Sequence, residues 1–385
     1  MYLTEIVRNK YVSLFNQKPL IIKSPGRVNL LGEHTDYNMG YVLPAAIDKA
    51  IYFAINKSEG SLCKLYSVDM NESCEFDVND IHKVPQSWAN YLIGVADVII
   101  KSGSKLGGFN CVFGGDIPIG AGLSSSAAIE GGLAFALNHI FELGMDKLTL
   151  VKLAQKAENE FVGVKCGIMD QFINIFGKSG NVLRIDCRSL EYDYFPFDYD
   201  NISIVLFNTK VSHSLASSEY NTRRQECGEG MKIINAAYPF IESLRDVTSN
   251  ILFEFKGKLT DVAYRRCKYV VEENERMIKA CESLRNNDIK SFGKLMYQTH
   301  AGLSKDYEVS CKELDYMAGL AEENTSIYGA RMMGGGFGGC TINLIEKQAV
   351  EENIERITTK YKEKFGIDSE VYVTSIKNGT DFTGE

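Results

Sequence analysis

The sequence predicts an α+β protein organised as two domains, and three observations predict it. A chain of 385 residues is long for one hydrophobic core, so two are the natural expectation. Strand-like and helix-like segments mix without the regular strand–helix–strand alternation of a doubly wound sheet. Helical text dominates residues 215–323, with strand-like text on either side.

In chain order, Val7, Tyr11, Leu14 and Phe15 recur at helical spacing, so the chain opens on a helix. Glu5, Arg8 and Lys10 interrupt it, which excludes the apolar core of a signal peptide. Residues 20–31, 51–57 and 63–68 read as strands broken by Gly, Pro and Asn turns, and 109–115 as another ending in Gly114-Gly115. Residues 124–141 read as a helix opening on serine hydroxyls able to cap it. In 148–162, Leu150, Leu153, Ala154, Ala157 and Phe161 form one apolar stripe; in 168–176, Ile168, Phe172, Ile175 and Phe176 do the same. Strands return at 181–187 and 202–208. A glycine-rich turn at 334–339 leads into a strand at 341–345, and 370–376 is the last strand. There are no repeats and no low-complexity linker. The chain is expected to divide near 190–200, after an acidic and aromatic stretch, into domains 1–195 and 196–385.

Composition bounds the function. A hydrophobic fraction of 45% and a charged fraction of 24% suit an ordinary globular protein able to bury cores that hold a rigid site. A formal charge of −8 argues against a nucleic-acid or anionic-membrane surface, which needs a positive footprint, but permits a local basic pocket for phosphate. The ten cysteines are scattered, without CxxC and without clustering with the five histidines, so zinc spacing is absent. Cys111 and Cys340 lie in apolar strand-like text, where a thiol acts as a small hydrophobe. A cytoplasmic protein without disulfides is expected. No window approaches the roughly 18 apolar residues of a membrane span. The pairs Arg223-Arg224 and Arg265-Arg266 read as solvated helix faces without a site.

Three motifs carry chemistry. Pro118-Ile119-Gly120-Ala121-Gly122-Leu123-Ser124-Ser125-Ser126-Ala127-Ala128 opens a helix, whose unpaired N–H groups and partial positive charge suit an oxyanion. One of its serines can also ligate a hard cation. It is neither a Walker A loop, lacking Gly-Lys-Ser/Thr, nor a dinucleotide fingerprint, since Ser125 replaces the third glycine. Gly329-Ala330-Arg331-Met332-Met333-Gly334-Gly335-Gly336-Phe337-Gly338-Gly339 formally contains GxGxxG, but a strand follows where a Rossmann unit needs a helix. It reads either as a loose hairpin or as a loop whose backbone lies against another segment or a ligand. In Gly26-Arg27-Val28-Asn29-Leu30-Leu31-Gly32-Glu33-His34-Thr35-Asp36-Tyr37-Asn38, four hydroxyl-binding groups (Glu33, His34, Asp36, Asn38) fall within six residues, as suits a sugar. Asp170 stands opposite the apolar face in the first turn of its helix, where the dipole favours its ionised form. Glu158 lies at the edge of its helix's stripe, an expensive place for a carboxylate unless it is paired or metal-bound.

In order and spacing these motifs resemble the GHMP kinase superfamily and, within it, the galactokinase family along almost the whole chain. The resemblance extends through Trp88-Ala89-Asn90-Tyr91, Cys166-Gly167-Ile168-Met169-Asp170-Gln171, Ile185-Asp186-Cys187-Arg188-Ser189-Leu190, His213-Ser214-Leu215-Ala216-Ser217-Ser218-Glu219-Tyr220 and Asp306-Tyr307-Glu308-Val309-Ser310-Cys311. Departures are small: Leu31 where isoleucine is frequent, and Met39 and Met333 where smaller residues are usual.

The resemblance implies the superfamily fold: two α/β domains with mixed or antiparallel sheets and an active site in the cleft between them. It implies ATP-dependent phosphorylation of α-D-galactose at C1, the entry step of galactose (Leloir) metabolism. Asp170 would be the catalytic carboxylate facing the anomeric hydroxyl, with Arg27 as its cationic partner. Glu33, His34, Asp36, Gly167 and Tyr220 would contact sugar hydroxyls. The backbone of Gly120, Ala121, Gly122, Leu123, Ser124 and Ser125 would hold the phosphates, Ser126 with Glu158 would hold Mg²⁺, and Trp88 would border the adenine. Partners would be galactose and MgATP alone, the protein being a monomer. Kinases of N-acetylgalactosamine, galacturonate or arabinose are the alternatives within the superfamily; Glu33-His34-Thr35-Asp36 favours plain galactose. A non-catalytic galactose sensor is the alternative outside enzymes; such relatives lack residues of the serine loop, which is intact here.

Overall fold

The computed structural model of the chain describes residues 3–118, 120–212 and 216–383. Ile119 of the serine loop and His213, Ser214 and Leu215 lie outside the described residues, as do the side chains of Ser212, Ala216, Ser217 and Ser218.

Strands buried along most of their length are expected at a sheet's centre, and β1 (Leu20–Asn29) and β3 (Pro44–Lys57) are of this kind. They pair in the middle of a six-stranded sheet of order β13 (Asp381–Phe382), β1, β3, β6 (Phe109–Gly115), β4 (Leu62–Ser67), β5 (Glu72–Asp77). All its neighbours are antiparallel except β4 with β6. Helix α1 (Leu3–Phe15) covers one face, burying Val7 and Tyr11 against Ile21, Ala54 and Val112. Leu92, Ile93 and Val95 of α2 (Ser87–Lys101), and Leu133 and Leu137 of α3 (Ser125–Ile140), join the principal apolar core with Phe53 and Phe113 of the sheet.

A three-stranded sheet, β2 (Tyr41–Val42), β7 (Asn181–Asp186), β8 (Tyr192–Pro196), packs with α4 (Lys147–Lys156) and α5 (Met169–Phe176). The second half builds an antiparallel sheet of order β10 (Ile327–Met332), β11 (Gly338–Glu346), β9 (Ile202–Ser212), β12 (Glu370–Thr374). Around it lie α6 (Ala216–Ala237), α7 (Ser249–Phe253), α8 (Asp261–Arg285), α9 (Ile289–Lys305), α10 (Lys312–Glu322) and α11 (Val350–Phe365). Side-chain caps start several helices: Asp146 accepts from Thr149 N, Thr260 from Ala263 N and Asp288 from Ser291 N. Leu206 of β9, Met277 of α8, Phe292 of α9 and Ile342 of β11 belong to the same core cluster as Phe53, so apolar packing runs through both halves.

Several expectations need correction. The helix expected over 148–162 is α4 followed by a π turn, Ala157–Val162. The first serine of the 124–141 helix makes no cap, because Ser124 is left-handed and its hydroxyl is used elsewhere. The basic pairs are not simply solvated: Arg223 and Arg266 are buried, sharing Glu226, while Arg224 is exposed. Buried guanidinium groups need such partners. β5, β10 and α11 escaped periodicity; in β5 only Cys74 and Phe76 are buried. All ten cysteines are free thiols, Cys111 and Cys340 fully buried. No helix among the described residues is long and apolar enough to cross a membrane.

Candidate active site

Arg27 leaves β1 at an irregularity between Pro25 and Arg27, and Asp170 stands in the first turn of α5. They meet in a two-pronged ion pair, Nε to Oδ1 at 2.8 Å and Nη2 to Oδ2 at 2.9 Å. This fork geometry is the strongest a carboxylate can accept from one side chain. Burial alone would lower the Arg27 pKa, but Asp170 and Glu33 outweigh it and hold the guanidinium above its ordinary value. The serine loop closes on the pair from above. Arg27 N donates to Leu123 O at 3.1 Å, Arg27 Nη1 donates to Gly122 O, and the Ser124 hydroxyl donates to Asp170 Oδ2. Positive φ at Gly120 (76°), Gly122 (75°) and Ser124 (59°) produces this turn just before α3.

Beside the ion pair lies a cleft of about 470 Å³ lined by Arg27, Glu33, His34, Asp36, Gly167, Asp170 and Tyr220, among others. The candidate catalytic pair and all five candidate sugar contacts are thus brought together. Glu33 Oε1 accepts from Gly334 N at 2.7 Å and from both terminal nitrogens of Arg331 at 3.2 Å. His34 rests between the Tyr37 hydroxyl, 2.8 Å from Nδ1, and Gly335 O, 3.2 Å from Nε2. Burial pushes the His34 pKa down to about 3. Burial, then the neighbouring charge of Asp170, pushes the Asp36 carboxyl up to about 7. A Cβ on Gly167 would lie 1.7 Å from Asp36 Oδ2, so only glycine leaves that carboxyl its place. Asn38, the fourth hydroxyl-binding group of the motif, instead donates to His34 O at 2.9 Å and holds the turn.

Of the two readings of the third motif, the packed loop is observed. Gly336 has φ +83°, and a Cβ there would sit 2.1 Å from Val309 O. The turn also faces the serine loop: a Cβ on Gly334 would be 3.5 Å from Gly122 O.

Glu158 is buried within the π turn, accepting from Gln171 Nε2 at 2.6 Å and from the Cys166 thiol at 3.2 Å. Burial raises its pKa, while the Cys166 and Ser126 side chains pull it back. Glu158 and Ser126 are therefore neighbours. Among the described residues, Gln171 Oε1 and Glu130 Oε1, both in buried side chains, have no hydrogen-bond partner. Trp88 does not line the cleft; it stacks at a tilt on Phe113, centroids 5.5 Å apart, and donates to Glu72 Oε2 at 2.9 Å.

Sequence reasoning missed the groups that hold the sugar motif from behind. Arg331 is fully buried and donates to Leu30 O and Asn29 O as well as to Glu33. Glu273 of α8, equally buried, accepts from Gly32 N at 2.8 Å and pairs with Arg276 at 2.8 Å. An arginine inside the apolar text Gly329-Ala330-Arg331-Met332-Met333 was the available signal, because a charge buried there needs an acid.

Residues 9–57 match the family described as the galactokinase galactose-binding signature, 90–178 the GHMP kinases N terminal domain, and 277–363 the GHMP kinases C terminal. The chain is 40% identical to a galactokinase of Clostridium acetobutylicum, over 98% of this chain and 99% of that one. It is 42% identical to a galactokinase of Thermotoga maritima, over 90% of this chain and 95% of the relative. Its fold superposes on the crystal structure of Lactococcus lactis galactokinase complexed with galactose with a TM-score of 0.94 at 33% identity, covering 99% of this chain and 100% of that one. A mevalonate kinase from Methanococcus jannaschii shares the fold alone, with a TM-score of 0.66 at 20% identity, covering 94% of this chain and 99% of that one.

Proposed function

Because the chain belongs to the galactokinase family of the GHMP kinases, we propose that it transfers the terminal phosphoryl group of ATP to the anomeric hydroxyl of α-D-galactose, giving galactose 1-phosphate and ADP. The observation that carries this reading is the Arg27–Asp170 fork, which lies between the serine loop and the cleft lined by Glu33, His34 and Asp36.

Phosphoryl transfer passes through a loose transition state, so positioning and charge stabilisation supply most of the rate. Asp170 accepts the hydrogen of the anomeric hydroxyl and aims its oxygen at the phosphorus. Arg27 holds the Asp170 carboxylate in place through the fork and meets the charge that develops on the transferred group. Glu33, His34, Asp36 and Tyr220, with the Gly167 backbone, orient the sugar. The N–H groups of residues 120–125 and the start of α3 receive the phosphates. Trp88 borders the adenine; its packing on Phe113 of β6, the strand that leads to the serine loop, supports that role.

The Ser126 hydroxyl and the Glu158 carboxylate, adjacent and both oxygen donors, fit Mg²⁺, which takes few protein ligands and completes its shell with water and phosphate oxygens. When bound, Mg²⁺ neutralises phosphate charge there. We read the protein as a cytoplasmic monomer, in keeping with its free thiols, and the chain as dividing at 195/196, between the stretches that match the N- and C-terminal family descriptions.

ADP release against a panel of galactose, glucose, arabinose, N-acetylgalactosamine and galacturonate tests the substrate. Galactose is expected to give the highest kcat/KM. Preference for a sugar altered at C2 or C6, or no ADP release with any of them, overturns the reading.

A further inference from the structure

The serine loop touches the Arg27–Asp170 pair with three consecutive residues. Two contacts are backbone carbonyls turned towards Arg27: Leu123 O accepts from its N–H at 3.1 Å, and Gly122 O accepts from Nη1. The third is a side chain, the Ser124 hydroxyl, which donates to Asp170 Oδ2. Ser124 is the N-cap of α3, yet with φ 59° and ψ 55° it is left-handed, and its hydroxyl caps nothing in the helix. That backbone suits glycine; a residue with a Cβ pays for it unless another contact compensates. At Ser124 the compensating contact is the bond to Asp170.

The serine makes the two oxygens of Asp170 unequal. A carboxylate offers about four acceptor positions, two on each oxygen. Among the described residues, Oδ1 accepts Arg27 Nε at 2.8 Å, while Oδ2 accepts both Arg27 Nη2 at 2.9 Å and the Ser124 hydroxyl. Oδ2 is therefore full, and Oδ1 has one position left. The Asp170 side chain keeps 29% of its surface exposed, so an incoming hydroxyl can reach it. Arg27 fixes where the carboxylate lies but leaves one open position on each oxygen. The serine decides between them.

We propose that Ser124 is a positioning residue that fills Oδ2 and thereby assigns Oδ1 as the oxygen that receives the hydrogen of the acceptor hydroxyl. It acts through Asp170 and ties the aim of that carboxylate to the loop that receives the phosphates. In the transfer, the hydroxyl O–H bond breaks and its proton passes to Oδ1. The freed oxygen bonds to the terminal phosphorus, whose bond to ADP breaks with its electron pair leaving on ADP. The inference deepens the phosphoryl-transfer reading and rests on it.

Ser124→Gly removes the hydroxyl and suits the left-handed backbone, so the loop is expected to keep its shape. Its kcat is expected to fall about 3- to 10-fold, with KM for galactose and for ATP each within about twofold of wild type. The loss must run through Asp170. In an Asp170→Asn background, measured by single turnover, the same substitution is expected to change the rate by less than about twofold. An unchanged kcat in Ser124→Gly, a raised KM for ATP, or an equal loss in both backgrounds overturns the proposal. A crystal structure of the wild type with galactose and β,γ-imido-ATP decides even if a variant fails to fold. The anomeric oxygen is expected against Oδ1 with Ser124 still on Oδ2; an anomeric oxygen on Oδ2, or a Ser124 hydroxyl turned to a phosphate, overturns it. Wild type that turns over another sugar of the panel but not galactose sinks the galactose reading alone, since the kcat comparison then decides with that sugar.

Discussion

Two neighbours in the sugar motif are displaced by burial in opposite directions, and stability should report both. Asp36, ordinarily at 3.8 and here near 7, stays protonated in the native state where the unfolded chain has lost its proton. Its contribution is therefore complete below about pH 4 and is lost as pH rises towards 7. His34, ordinarily at 6.5 and here near 3, stays neutral in the native state while the unfolded chain takes up a proton. Its contribution is lost as pH falls below about 6.5. Between about pH 4 and 6.5 the two slopes oppose each other. Relative to wild type, Asp36→Asn is expected to gain stability as pH rises through that window, and His34→Gln to lose it. Thermal midpoints measured across the window decide; curves parallel to wild type would contradict the assignment. Both residues were legible in the sequence, because four hydroxyl-binding groups crowd a glycine-flanked turn. Arg331 and Glu273 were not, since each is one charge in helix- or strand-like text and their partners lie 298 and 241 residues away.

At the scale of elements, periodicity located α3, α5 and the main strands but not the departure from regularity that matters most. The stripe of 148–162 holds through α4, after which a π turn inserts a residue and rotates the downstream side chains by roughly 100°. Glu158 falls inside that turn and is buried beside Gln171 instead of lying at a stripe's edge. A five-residue hydrogen-bond step leaves no trace in an apolar pattern, so the sequence could not show it. Gly167, in the segment between this turn and α5, is the matching test. An added methyl would lie 1.7 Å from Asp36 Oδ2, so Gly167→Ala must displace that carboxyl or the segment. We expect about a tenfold or greater loss of galactose affinity by calorimetry and a stability cost of about 1–3 kcal/mol from overpacking. Unchanged affinity would show that Asp36 and Gly167 do not share the sugar's wall.

On the scale of the molecule, the cleft exists because distant segments close on it. Arg27 comes from the first strand, Asp170 and Gly167 from the middle of the chain, and Tyr220 and Gly334 from the second half. The chain's end returns as β13 to pair with β1, where Thr380, buried, bonds Ser24 and Asn174. Motif chemistry indicated which residues share the site. How the sheets stack depends on long-range pairing such as Ile22 with Phe382, which no local pattern encodes. The claim on which the whole depends is that Asp170, forked to Arg27, handles the acceptor hydroxyl. Single-turnover formation of galactose 1-phosphate, followed by phosphorus NMR in wild type and Asp170→Asn, tests it most directly. The account predicts a sugar phosphate at C1 in wild type and a rate lower by about 10²–10⁴ in the variant, with its fold and galactose binding retained. A near-normal rate in Asp170→Asn, or phosphate on any other hydroxyl, would contradict it.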